Sequence, residues 1–328
     1  LYTIGGGDVW VGRSNLLDTG SLWIHTYRSA ASHFNGDGEL HIRFSSNQGT
    51  TWSSEDMTPT GVTVTGFPID GHGAGNDAAE GVLVKAPNGD ILCLVREELA
   101  SGSGGTYLWR STDGGGTWAD GGKINSDNSL LMGGQAIVVG SDIYASFWVD
   151  AGADQAPPFK STLYKSSDNG TTWVAVSDIT STSDATDESG LIWLGGDTLL
   201  AVMRESAATK TFLRASADLG ATWGPMIDVT AIFGVLQRPK FTRINERIYL
   251  HARERHSDDN NYNVIWYSDA NGAVNSWQGP FRVNATPASD IAYGDLLQRA
   301  NGDLYVLHYE GPNPYDSSII QTVLAVSR

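Results

Sequence analysis

The sequence predicts an all-β chain folded as a six-bladed β-propeller, and three observations carry that expectation. An eight-residue turn pattern ending in tryptophan recurs along the chain at blade-sized intervals. A second set of polar residues recurs in pairs 16 apart, upstream of the turns. Short β-branched and aromatic runs are separated by Gly, Asn, Asp and Ser clusters, with no sustained apolar repeat at the helical period. A chain of 328 residues fits one propeller, and residues 1–328 are expected to form a single domain.

The turn pattern reads Ser-x-Asp-x-Gly-x-Thr-Trp. Close copies run Ser111 to Trp118, Ser166 to Trp173 and Ser216 to Trp223; Ser45 to Trp52 carries Asn47 in place of the Asp. A looser copy begins at Ser268 and reaches Trp277 after an insertion. An Asp or Asn here accepts local backbone N–H bonds, Gly takes the positive-φ position, and the Trp buries apolar area between sheets. These carboxylates are therefore structural, because a turn-capping side chain is already committed to its own backbone.

The paired positions are Gly12 and Arg28, Glu80 and Arg96, Glu188 and Arg204, Gln237 and Arg253, and Tyr293 and Tyr309. Blade three departs from the rule, with Gln135 leading to Asp150. Within an antiparallel hairpin, the start of one strand and the end of the next share one end, so these residues are expected on a common face, opposite the turns. The segment near Asp8, Val9 and Trp10 is expected to supply the outer strand of the last blade and close the ring. Arginines repeated on one face require anions. Glu80, Glu188, Glu310 and Asp150 would neutralise them as an ion-pair network, or the arginines Arg13, Arg28, Arg96, Arg204, Arg238 and Arg253 would clamp a ligand carboxylate.

Composition narrows the function classes. A net charge of -16, spread along the chain, argues against nucleic acid or an anionic membrane as partner. The single cysteine, Cys93, lies in the apolar run Ile91 to Val95 and reads as core. No apolar stretch is long enough to span a bilayer. No cofactor is expected. The acidic loop Ser257 to Asn261 lacks spaced calcium ligands, so no metal is expected either.

The motifs and strand-end residues together resemble the sialidase (neuraminidase) superfamily, in which the turn pattern is known as the Asp-box or BNR repeat. The resemblance implies a sialidase-like propeller with Asp-box turns and assigns roles residue by residue. Arg13 stands where the family has its first clamp arginine, although Ile-Pro does not follow it. Asp187-Glu188 through Arg204 matches the segment supplying the carboxylate that activates the nucleophile and the second clamp arginine. Ala292-Tyr293-Gly294-Asp295-Leu296 is similar to the segment with the nucleophilic tyrosine, and Glu310 to the glutamate that steadies the first arginine. Two positions depart from the pattern. The third clamp arginine is missing near Asn260, leaving Arg253, or Arg238, as its substitute. The acid/base aspartate is replaced by His33, with Asp37 in the same loop.

Three functions follow from these assignments. One is a retaining exo-hydrolase of a terminal acidic sugar, with Tyr293 as nucleophile, Glu188 as base and His33 as acid. A second is β-elimination on a uronic-acid glycan by a His/Tyr pair, since histidine serves as acid or base near neutral pH. The third is a carbohydrate-binding propeller without catalysis. The expected partner is an acidic glycan or glycoconjugate bound by a monomer, and the substrate class suggests secretion or the periplasm. His72, just before blade two, is expected to swing over the site. Phe147, Trp148 and Tyr309 are either a sugar platform or core.

Overall fold

The structure, a computed structural model, describes residues 3–5, 10–31, 38–72, 76–98, 104–126, 130–150, 159–256, 260–284, 287–288, 290–313 and 316–325. Strand β1 (Thr3–Gly5) comes first. Blade one follows with β2 (Trp10–Asp18), β3 (Trp23–Ala30) and β4 (Glu39–Ser45), and blade two with β5 (Asp77–Lys85), β6 (Ile91–Glu98), β7 (Gly105–Ser111) and β8 (Ala119–Lys123). Blade three comprises β9 (Leu130–Val139), β10 (Asp142–Asp150), β11 (Phe159–Ser166) and β12 (Val174–Asp178). Blade four has β13 (Thr186–Gly195), β14 (Thr198–Glu205), β15 (Thr211–Ser216) and β16 (Ile227–Asp228). Blade five has β17 (Val235–Ile244), β18 (Arg247–Arg255), β19 (Tyr262–Ser268) and β20 (Trp277–Arg282), and blade six β21 (Asp290–Gln298), β22 (Leu304–Asn313) and β23 (Asp316–Leu324). Every sheet is antiparallel, and five of the six are meanders in chain order, the expected six-bladed arrangement. The single α-helix among the described residues is the four-residue Thr230–Phe233, and no helix there is long and apolar enough to cross a membrane.

Two positions differ from the expectation. The outer strand of blade six is β1, paired with β23 through Thr3↔Ile320, Ile4↔Ile319 and Gly5↔Ser318. Trp10 instead opens β2, and Asp8 and Val9 lie outside the described residues. Blade one has three strands; its fourth place is taken by irregular chain that touches β4 through the Leu40↔Ile69 bridge and blade two through Thr65↔Thr117.

The chain forms two compact units, residues 1–126 with 288–328, and residues 127–287. In the first unit, the opening strands β21, β2 and β5 of blades six, one and two pack together; in the second, β9, β13 and β17 do the same. Apolar cores lie between neighbouring sheets. Ile24, Leu40, Ile42 and Phe44 of blade one meet Leu83, Cys93 and Val95 of blade two with Trp118. Val11, Trp23 and Tyr27 meet Tyr305, Leu307 and Ile319 of blade six. In the second unit, Tyr144 and Leu163 face Leu199, Ala201 and Met203, while Val202 and Leu213 face Leu250 and Trp266. Truncating one of these tryptophans to Ala should cost about 3–5 kcal/mol.

The turns are built as their chemistry requires. In the third copy, Gly170 N–H donates to Ser166 Oγ at 2.8 Å and Thr172 N–H to Asp168 Oδ1 at 2.8 Å. Asn169 and Gly170 both take positive φ, 56° and 85°. The Asp168 carboxylate is held below its usual range by the hydrogen bonds it accepts from the Thr172 hydroxyl, the Thr172 N–H and the Ser166 hydroxyl. It is a structural group, as read from the sequence.

Candidate active site

Every blade has a register break in its opening strand, close to the paired polar residues. Cα pairing skips from Gly12 to Asn15, from Ala78 to Glu80, from Met132 to Ala136, from Thr186 to Ser189, from Gln237 to Lys240 and from Ala292 to Asp295. A bulge leaves its extra residue unpaired and re-aims the side chain. Arg13, Glu188, Arg238 and Tyr293 all lie in these breaks. Arg13, Arg238 and Tyr293 also have positive φ, 50°, 50° and 44°, a genuine outlier for a residue as bulky as tyrosine. Gly294 allows the bulge after Tyr293, since a Cβ there would lie 1.8 Å from the Leu307 carbonyl oxygen.

In the first unit the cluster is densely charged. Arg13 donates from Nη1 to the Ala79 carbonyl at 3.0 Å and lies 3.7 Å from Glu98 Oε1. Burial alone would lower its pKa, but Glu98, Asp77, Tyr293 and Tyr309 together hold it above the usual value. Tyr293 is thus within electrostatic reach of the Arg13 guanidinium. Its ring centre is 6.0 Å from that of Tyr309, whose hydroxyl donates to Asp290 at 2.7 Å in a buried setting. Arg28 is completely buried and forked onto Asp77, with Nε and Nη2 each at 2.8 Å. Gly38 makes room for that fork, because a Cβ would sit 2.2 Å from Arg28 Nε. Arg28 is therefore a structural partner of Asp77. Arg96 lies opposite the buried Glu80 in register and reaches Glu98 at 3.0 Å. The carboxylates acting on Arg13 are Glu98 and Asp77, whereas Glu310 lies 3.9 Å from His308.

In the second unit, Glu188 Oε2 accepts from Arg204 Nη1 and from the Arg238 backbone N–H, both at 2.8 Å. Asp187 accepts the Glu188 N–H at 2.6 Å and lies 3.5 Å from Arg204 Nε. Burial, reinforced by Glu188 and opposed by Arg204, pushes the Asp187 carboxyl up to about 6. A shift of that kind inside a charged cluster marks a functional candidate. The sequence reading gave Asp187 no role, although two adjacent carboxylates one hairpin away from an arginine were visible. Arg238 itself is buried and donates to the Gly133 carbonyl. Arg253 stands half-buried between Gln237 and Asn263 in register.

Several expectations need correction. Gln135 does not partner Asp150: it lies in the bulge opposite Ser146, while Leu130 pairs with Val149. Its side chain instead binds backbone of blades four and five, accepting from Leu191 at 3.1 Å and Phe241 at 2.7 Å and donating to Phe241 at 2.8 Å. Of the two readings open for Phe147, Trp148 and Tyr309, burial agrees with core: Phe147 and Tyr309 are fully buried, and Trp148 is nearly so, edge-on to Phe159. His72 is anchored on the sheet of blade two, Nδ1 at 2.6 Å from Glu97, Nε2 at 2.7 Å from Asp120, and the ring stacked on Tyr107. His33, Asp37 and the 257–259 segment of the acidic loop lie outside the described residues. Among the described residues, one group has metal-ligand spacing, His41 with Glu55 and Asp56. Burial opposes protonation of His41, but Asp56, Glu55 and Glu39 outweigh it and raise its pKa, which reads as an ion pair.

Known structures can now be compared with this architecture. A Dyadobacter fermentans protein of unknown function aligns over 99% of this chain and 98% of its own, at TM-score 0.76 and 16% identity. A Hadza microbial sialidase aligns over 95% of this chain at TM-score 0.69 and 17% identity. The fold is the sialidase-type six-bladed β-propeller. This propeller spans 65% of that sialidase's length. A Penicillium chrysogenum α-L-arabinanase, complexed with arabinobiose, aligns over 96% of this chain and 93% of its own, at TM-score 0.66 and 13% identity. Glycoside hydrolases thus stand among the structural neighbours of the propeller. No protein-family profile and no curated protein sequence matches the chain.

Proposed function

We propose that the chain is a retaining exo-glycosidase that removes a terminal, carboxylate-bearing sugar from a glycan, with Tyr293 as nucleophile. The observation that carries this reading is Tyr293 itself, a bulky side chain at φ 44° in a bulge, within electrostatic reach of Arg13. Backbone strain of this kind persists where surrounding structure over-determines it, and it clusters at functional sites. A phenol is a neutral nucleophile, suited to a carbon that bears a carboxylate. Arg13 would hold that carboxylate. The roles that the resemblance gives to Glu188, Arg204 and Arg253 fall on residues of the second unit.

The test is release of free acidic sugar from a synthetic sialoside and from uronate-terminated oligosaccharides by the wild type and Tyr293→Phe. Release by the wild type, lost in the variant and in Glu188→Gln, supports the reading. An unsaturated uronate product would replace hydrolysis with β-elimination. Two observations favour a second reading, a neutral terminal sugar: Arg28 and Arg96 already hold protein carboxylates, and an arabinanase shares the fold. Activity on arabino-oligosaccharides with none on acidic sugars would establish it.

A further inference from the structure

We propose that Glu98 is a resident carboxylate, occupying at rest the anion cradle formed by Arg13 and Arg96, which a substrate's acidic group enters by displacing it. The inference deepens the proposed glycosidase and rests on that reading for the identity of the incoming ligand. The arrangement within the first unit carries it. A single oxygen, Glu98 Oε1, stands 3.0 Å from Arg96 Nη2 and 3.7 Å from Arg13 Nη1. One carboxylate oxygen therefore spans two guanidinium groups, as the oxygen of a bound acid would.

The neighbouring anions are differently placed. Asp77 is buried and spends both oxygens on Arg28, and Glu80 is buried opposite Arg96. The Glu98 side chain is 28% exposed, against 4% for Asp77. Glu98 also ends β6, pairing with Asp77 at the margin of the sheet, so its side chain can turn towards water without breaking a strand. Arg13 and Arg96, 11% and 8% exposed, remain in place when it leaves. An incoming carboxylate then replaces one anion by another, and the buried arginines are never left unpaired, a state that would be strongly unfavourable. A neutral sugar has no means of expelling Glu98. The residue therefore selects for charge on the ligand.

The experiment is titration of the full chain with inorganic sulfate at low ionic strength by calorimetry, for the wild type, Glu98→Gln, Glu98→Asp and the double variant Glu98→Gln/Arg96→Gln. Removing a competing charge at this separation should tighten sulfate binding by about tenfold in Glu98→Gln. Glu98→Asp should fall between, and the gain should disappear in the double variant. Equal or weaker sulfate binding by a folded Glu98→Gln protein overturns the proposal. A parallel titration with N-acetylneuraminate separates it from the substrate reading. Sugar binding by the wild type without a sulfate gain in Glu98→Gln refutes the resident carboxylate and leaves the acidic-sugar reading standing. A sulfate gain with no response to the sugar supports the cradle and refutes that sugar as its ligand.

Discussion

Arg13, Arg238 and Tyr293 share an uncommon backbone conformation at the same point of three different blades. Left-handed φ at such residues costs on the order of 1–3 kcal/mol each. The cost yields a direct prediction, since glycine alone adopts this conformation freely. Tyr293→Gly should be more stable to urea than Tyr293→Ala by roughly 1 kcal/mol, the reverse of their order in a regular strand. The Asp187 carboxyl gives a second. Its folded pKa, pushed up to about 6 from 3.8, means that the folded state holds the proton more tightly than the unfolded chain. Stability is then lost as pH rises between those two values. Relative to Asp187→Asn, the wild type should lose about 3 kcal/mol between pH 4 and pH 7, read from denaturation midpoints at each pH. An equal pH dependence in both proteins would place Asp187 outside the buried cluster described for it.

Among the elements, the turn motifs were the most legible, because their function is local. Ser, Asp, Gly and Trp at fixed spacing specify a turn before any tertiary contact exists. The bulges were not legible. Residues 16 apart did pair across β5 and β6 as Glu80↔Arg96, yet no residue type announces that Arg13 or Tyr293 is looped out of its ladder. That is decided by how closely neighbouring strands approach, as at Gly294 beside Leu307. His72 was misread for a similar reason, since its carboxylate partners come from β6 and β8 of blade two, distant in sequence from the bend that carries it. Its pKa is raised because the hydrogen bonds and charges of Asp120 and Glu97 outweigh a desolvation that would lower it. Tyr107 stacks on the ring and Lys123 stands over the far ring of that pair. A raised folded pKa contributes stability that is complete below the ordinary value near 6.5 and lost as pH climbs through the folded value. The difference in melting temperature between the wild type and His72→Gln should therefore shrink as the solution is made alkaline. A constant difference would show that the imidazolium contributes nothing.

For the whole molecule, fold class and blade number were readable from one period of repetition, whereas the closing strand was displaced from residues 8–10 to β1. A three-residue strand carries too little pattern to be found by periodicity, and only its pairing with β23 reveals it. Deleting residues 1–5 would leave β23 as a bare edge, and exposed edges promote association. The shortened protein should gain light-scattering aggregates at concentrations where the full chain stays dispersed. Unchanged dispersion would mean that β1 is dispensable as a cover.

That pairing also sets an order of events during synthesis. Thr3 leaves the ribosome more than three hundred residues ahead of Ile320, so at typical elongation rates the two are separated by roughly half a minute. Blades that draw their strands from one stretch of chain can assemble as they emerge. Blade six waits for β23, and its closing contact joins the earliest strand of the propeller to the latest.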